Sequence, residues 1–86
     1  MAVEAYILFK VSSGAERDAC KKIAQFDEVS VASVIFGEYD LLARVSVPDL
    51  AKLEAFLAEK LRKVPSVLLT STMLIAREYR GKSDRG

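Results

Sequence analysis

Histidine and tryptophan are absent from this 86-residue chain, and Cys20 is its single cysteine. Without histidine the chain lacks the commonest general base and the usual zinc and haem ligand. One cysteine excludes an intramolecular disulfide. No acidic cluster has the spacing of an oxygen-ligand metal site, so neither metal nor cofactor is expected. The four glycines, Gly14, Gly37, Gly81 and Gly86, are isolated, and neither a GxGxxG nor a P-loop spacing occurs. No apolar run approaches the roughly 20 residues of a membrane span, and the start lacks a basic-then-apolar export pattern. One thiol and no export signal point to the cytoplasm. Charge of one sign is missing too. Thirteen basic and twelve acidic residues leave a net charge of +1, with no basic face for a phosphate backbone and hence no direct DNA binding. Only residues 77–86 are uneven, with Arg77, Arg80, Lys82 and Arg85 against Glu78 and Asp84. Residues 78–86 read as a flexible polar tail, and a weak anion contact is the alternative.

What is present is apolar surface, 51% of the residues. A chain of this length forms one domain and buries only roughly two-thirds of its unfolded surface, which leaves a thin margin of stability. With disulfide and metal excluded, association with another subunit is the remaining source of burial.

Val3 to Val11 reads as a strand, with Val3, Ala5, Ile7, Phe9 and Val11 on one face and Glu4, Tyr6, Leu8 and Lys10 on the other. Ser12-Ser13-Gly14 follows, and either serine could cap a helix. That helix carries Ala15, Ala19, Ile23 and Phe26 as its apolar stripe. Residues 29–36 and 41–47 form two strands around the turn Gly37-Glu38-Tyr39-Asp40, so they pair as an antiparallel hairpin. Pro48-Asp49 opens a second helix, with the proline in its first turn. Its stripe is Leu50, Leu53, Leu57 and Leu61, widened by Phe56. Val64-Pro65 stops it, and residues 67–79 form a long fourth strand.

The order βαββαβ predicts an α+β, ferredoxin-like fold: a four-stranded antiparallel sheet with the first and third strands central and both helices on one face. The other face should then be polar, and it is not. Leu69, Met73 and Ile75 alternate with Leu68, Leu74 and Ala76, while Val29, Val31 and Ile35 alternate with Ala32, Val34 and Phe36. A sheet apolar on both faces needs cover on both. A second copy is the economical cover, which predicts a homodimer of the dimeric α+β barrel type.

No nucleophile with a base stands out. Cys20 has no histidine to activate it and reads as a half-buried structural thiol. Two places are unusual. In Gly37-Glu38-Tyr39-Asp40, glycine and aspartate are ordinary turn formers. The turn could also bind a carboxylate through amides near Gly37 and an ammonium through Asp40. Thr70-Ser71-Thr72 is a polar island in an apolar strand, with both threonines on one face. Cross-strand threonines are common, but inside an interface these would be buried polar groups, and a small zwitterion could supply their partners. Arg44, on a central strand, must pair or reach solvent. An ion pair with a neighbouring Glu or Asp is expected, with ligand binding as the alternative.

At these residues the chain resembles the C-terminal ligand-binding module of the Lrp/AsnC family, the RAM domain. The hairpin from Phe36 through Gly37, Glu38, Tyr39, Asp40, Leu41, Leu42 and Ala43 to Arg44 and Val45 is similar to that family's G-x-Y-D hairpin. The likeness continues through Val47, Asp49, Leu53, Phe56, Leu61, Val64-Pro65, Val67, Thr70 and Thr72. It implies that residues 1–77 form an effector-binding and oligomerisation domain that dimerises through its sheets and commonly assembles to octamers of four dimers. It also implies an amino-acid effector at subunit interfaces, contacted by Gly37, Glu38, Tyr39, Asp40, Thr70 and Thr72. No helix-turn-helix segment precedes Val3, so the resemblance implies a stand-alone module that modulates transcription without touching DNA, or one that co-assembles with a full-length relative as a purely structural partner. An enzyme of the same barrel type, such as a small monooxygenase, is the third class, and no cofactor motif supports it.

Overall fold

A computed structural model describes residues 2–83. The elements are β1 (Val3–Val11), α1 (Glu16–Ala24), β2 (Val29–Val34), β3 (Leu41–Val47), α2 (Leu50–Ala55) and β4 (Val67–Leu74). The sheet order is β2-β3-β1-β4, with every neighbouring pair antiparallel. This is the ferredoxin-like arrangement, with β1 and β3 central.

Alternation on the central strands sets the core. Ala5, Ile7 and Phe9 of β1 face the helices beside Val45, Ala43 and Leu41 of β3, and all six are buried. Ala19 and Ile23 of α1 and Leu53 of α2 close over them, with Phe56, Leu61 and Val64. Phe26 and Phe56 meet edge to face at 5.6 Å, joining the end of α1 to the second helical segment.

Several local expectations are corrected. No serine side chain caps α1. Its N-cap is Ala15, and Gly14 turns at φ +88°, a conformation that favours glycine, so that the Ser12 carbonyl accepts from Ala15 N–H at 2.9 Å. Pro48 lies before the helix rather than in its first turn, because Asp49 is the N-cap and its carboxylate accepts from Lys52 N–H at 2.8 Å. The leucine stripe of the second helix is also altered. After Ala55 the chain widens into a π turn (Phe56–Lys60) and ends in a 3₁₀ turn (Leu61–Lys63). Leu61 N–H donates to the Phe56 carbonyl five residues back, which puts Phe56 and Leu61 on one face. Leu57 is therefore only half-buried, and Leu50 at the other end is 52% exposed.

Both outer strands are shorter than expected. β2 ends at Val34, although Ile35 N–H still reaches the Asp40 carbonyl at 2.9 Å. β4 ends at Leu74, with one further bond from Ile75 N–H to the Glu4 carbonyl at 2.8 Å. In this register β1 has only Glu4 and Val3 left beyond that point, so the residues after Ala76 have no ladder to join. An irregularity between Val29 and Val31 puts these valines on opposite faces, not on one face as strict alternation implies: Val29 lies beside buried Val45, Val31 beside Arg44.

The face away from the helices carries Leu8, Leu42, Val31, Leu69 and Met73. The last three are 54%, 52% and 48% exposed, so one chain leaves contiguous apolar surface open on this side.

Lys60 in the π turn pairs with Glu28, before β2, at 2.7 Å. That hydrogen bond and charge hold the Glu28 carboxyl below its ordinary range. Such a group favours folding while it is ionised, and the contribution is lost as pH falls through its depressed folded value. Glu28→Gln should therefore lower stability at about pH 7 by at most about 1 kcal/mol. The gap to the parent should narrow in acid, as pH falls below the ordinary carboxylate range and through that depressed value. Urea melts of both proteins at neutral and at acid pH check this.

Candidate functional site

The β2–β3 turn owes its shape to Gly37, whose φ of +140° is one that side-chain-bearing residues rarely adopt. Gly37 and Glu38 are exposed, Tyr39 and Asp40 half-buried. Asp40 is built into the sheet. Its N–H donates to the Phe9 carbonyl at 2.8 Å, its carbonyl accepts from Ile35, and its Oδ2 accepts from Val11 N–H at 2.9 Å. The carboxylate thus satisfies the β1 amide at the place where the β1–β4 register shifts. Tyr39 lies against Lys10, whose ammonium sits 5.7 Å from the ring centre. Asp40 also lines a depression of about 330 Å³ with Glu16, Arg17 and residues 34–36.

Thr70 and Thr72 share a face, as their spacing requires. Register places Thr70 opposite Phe9 and Thr72 opposite Ile7, on the helix side of the sheet, while Ser71 lies opposite Leu8 on the open side. The threonines therefore do not face a partner stacked on the open face. Both are exposed because β4 is an edge strand that the helices leave partly uncovered. Neither hydroxyl bonds to another described residue.

The six candidate residues fall into two groups on either side of β1, the turn near its Phe9–Val11 end and the threonines opposite Phe9 and, midway along the strand, Ile7. The turn lies beside the start of β3 and the threonines on β4, so they are about two strand spacings, roughly 10 Å, apart. One chain does not bring them into a single cavity.

Arg44 does form the expected ion pair. It binds Glu4 of β1 and, at 2.7 Å, Glu78, and it donates to the Tyr6 hydroxyl at 3.1 Å. The Glu4 and Glu78 carboxylates hold its guanidinium even more firmly protonated than usual. Glu78 opens the segment assigned to the tail, and residues 84–86 of that segment lie outside the described residues. Tyr6, Lys10 and Glu78 escaped the sequence reading because their partners lie 29 or more residues away and no local pattern marks them. Burial pushes the Cys20 thiol up, away from the reactive thiolate.

A profile of the Lrp/AsnC ligand-binding domain matches residues 4–83. The chain belongs to that family. Among relatives of this Lrp/AsnC domain is an uncharacterized helix-turn-helix-type transcriptional regulator of Pyrococcus furiosus, 32% identical over 73 residues, which are 85% of this chain and 49% of that protein. The chain spans about half the length of the curated relatives it matches. A crystal structure of a hypothetical protein from Pyrococcus horikoshii is similar at 40% identity, with a TM-score of 0.82, covering 90% of this chain and 93% of that one. The transcriptional regulator NMB0573 of Neisseria meningitidis, solved as an L-Met complex, matches at 17% identity and a TM-score of 0.82, covering 94% and 54%. That last likeness concerns the fold alone.

Asp40→Ala should destabilise the Lrp/AsnC domain by about 1–3 kcal/mol, because Val11 N–H loses its partner. Asp40→Asn keeps an acceptor oxygen and should recover most of this. Urea melts measure the loss, and faster hydrogen exchange at Val11 in Asp40→Ala locates it.

Proposed function

We propose that this domain is an amino-acid-sensing oligomerisation module of transcriptional regulation, which binds its effector between copies and does not itself contact DNA. The observation that carries this reading is the family match over residues 4–83, taken with the two polar groups that flank β1. Glu38, Thr70 and Thr72 are solvent-accessible there, and each group borders a depression. Neither group makes a closed pocket alone, so a neighbouring copy is the natural source of the missing walls. A structural relative in complex with L-Met is consistent with an amino acid as the effector. The near-balanced charge gives these residues no footprint for nucleic acid.

Homodimerisation is supported by the open face, where Val31, Leu69 and Met73 meet water in a single chain. The same face also supports a second reading, in which the domain only co-assembles with a full-length regulator and binds no ligand. Catalysis is disfavoured: the chain has no histidine, and the Cys20 thiol is pushed away from its reactive form.

Light scattering on the purified chain should give a particle of at least two subunits, and Met73→Glu should shift it towards monomer. A mixture of the twenty amino acids should raise the melting temperature, since a ligand at 100 times its dissociation constant adds about 2.7 kcal/mol. Thr72→Val, which removes only an exposed hydroxyl, should abolish that rise without lowering the ligand-free melting point. A multimer indifferent to every amino acid would favour the purely structural reading.

A further inference from the structure

Strand register sets one straight row across the open face: Val31, Arg44, Tyr6 and Met73, one residue from each strand. The outer two are apolar and exposed. The inner two are polar, and the chain's own C-terminal segment lies over them. After the last ladder bond, from Ile75 N–H to the Glu4 carbonyl, residues 76–81 are exposed and have no regular structure. They turn back onto the sheet all the same. Glu78 reaches Arg44 at 2.7 Å. A depression of about 500 Å³ separates the two layers, lined by Tyr6 and Arg44 of the sheet and by Tyr79 and Gly81 of the segment, among others.

We infer that residues 76–81 are a strap, latched by Glu78 on Arg44, that opposes assembly of this domain through its open face. The occupant it holds off is a second copy of the chain, so the inference rests on the homodimer reading above and adds a control to it. Space is the first reason. Stacked sheets lie about 10 Å apart, and their own side chains fill that gap. A peptide segment lying across Arg44 and Tyr6 has no room there, so stacking on this row requires the strap to leave. Charge acts in the same direction. Arg77, Glu78 and Arg80 of the strap border the depression, and a partner covering them would strip them of water at a cost. Once the strap swings out, these groups return to solvent. Arg44 then keeps Glu4 and the Tyr6 hydroxyl, a neutral pair with hydrogen bonds that suits burial. The latch is also weak enough to open. The Arg44 and Glu78 side chains are 25% and 39% exposed, and an ion pair so open to water contributes little. Apolar burial of Val31, Leu69 and Met73 by a second copy outweighs it.

Sedimentation equilibrium of the full chain tests this, comparing the dissociation constant of the parent with those of Glu78→Gln, Glu78→Asp and Met73→Glu. Two latches open for each dimer formed, so Glu78→Gln should tighten assembly by at least about threefold. Loss of this carboxylate raises the net charge from +1, so overall repulsion between copies would act the other way. Glu78→Asp keeps the charge on a shorter arm and should fall between the parent and Glu78→Gln. The difference should shrink in about 1 M sodium chloride, which screens an exposed pair. A difference that persists unchanged at that salt would overturn the latch. Unchanged or weaker assembly in Glu78→Gln, with Met73→Glu still shifting the particle towards monomer, would overturn the strap and leave the open-face interface standing. Assembly indifferent to Met73→Glu, or a parent and a Glu78→Gln variant that both stay monomeric, would overturn the interface and the strap with it.

Discussion

β1 is hydrogen-bonded along both edges, to β3 on one side and β4 on the other. Its inward row, Ala5, Ile7 and Phe9, has no exposed surface at all. A strand in this position has every backbone group paired and one face wholly buried, so its register cannot slip by one residue without moving that row to the other side of the sheet. The other elements inherit their placement from it. β3 presents Ala43 and Val45 beside the same row, and the helices close over that surface. Asp40 reaches β1 through Phe9 and Val11, which anchors the β2–β3 turn to the end of the central strand.

The same constraint explains the surface. β1 and β3 carry Leu8 and Leu42 on the face away from the helices, and the outer strands add Val31, Leu69 and Met73. Helices on one side leave this second apolar layer to be covered by something else. Arg44, in the middle of that layer, is neutralised by Glu4 and Glu78 and supported by Tyr6. The cluster puts a paired charge where a lone one would be costly, and through Glu78 it ties the segment after β4 back onto the sheet. The polar groups suited to a ligand lie elsewhere, on the helix side and at the turn. The open apolar face and the candidate polar groups therefore lie on different surfaces.

Much of the fold was legible in the chain because alternation and helical spacing are local signals. The bounds of β1 and β3 follow from their apolar rows. The errors cluster where a long-range partner decides. β4 cannot run to Tyr79 because β1 offers only two residues past Leu74, the second helix changes pitch so that Phe56 and Leu61 are buried together, and the β2 irregularity reverses one valine. Of the candidate site, the turn and the threonines stood out as unusual residues. Their division into two groups, Asp40's bond to Val11 and the helix-side direction of Thr70 and Thr72 did not, since each depends on strand register.

By itself the sequence determined the element order, the central strands, the two-sided apolar character of the sheet and the family resemblance. These depend on residue type and spacing, which any segment carries with it. Only the tertiary structure decided which side of the sheet the threonines occupy, which acids hold Arg44, and that Phe56 and Leu61 are buried together. Those facts join residues brought together by strand pairing and by the pitch of one helical turn, and no short-range pattern encodes them.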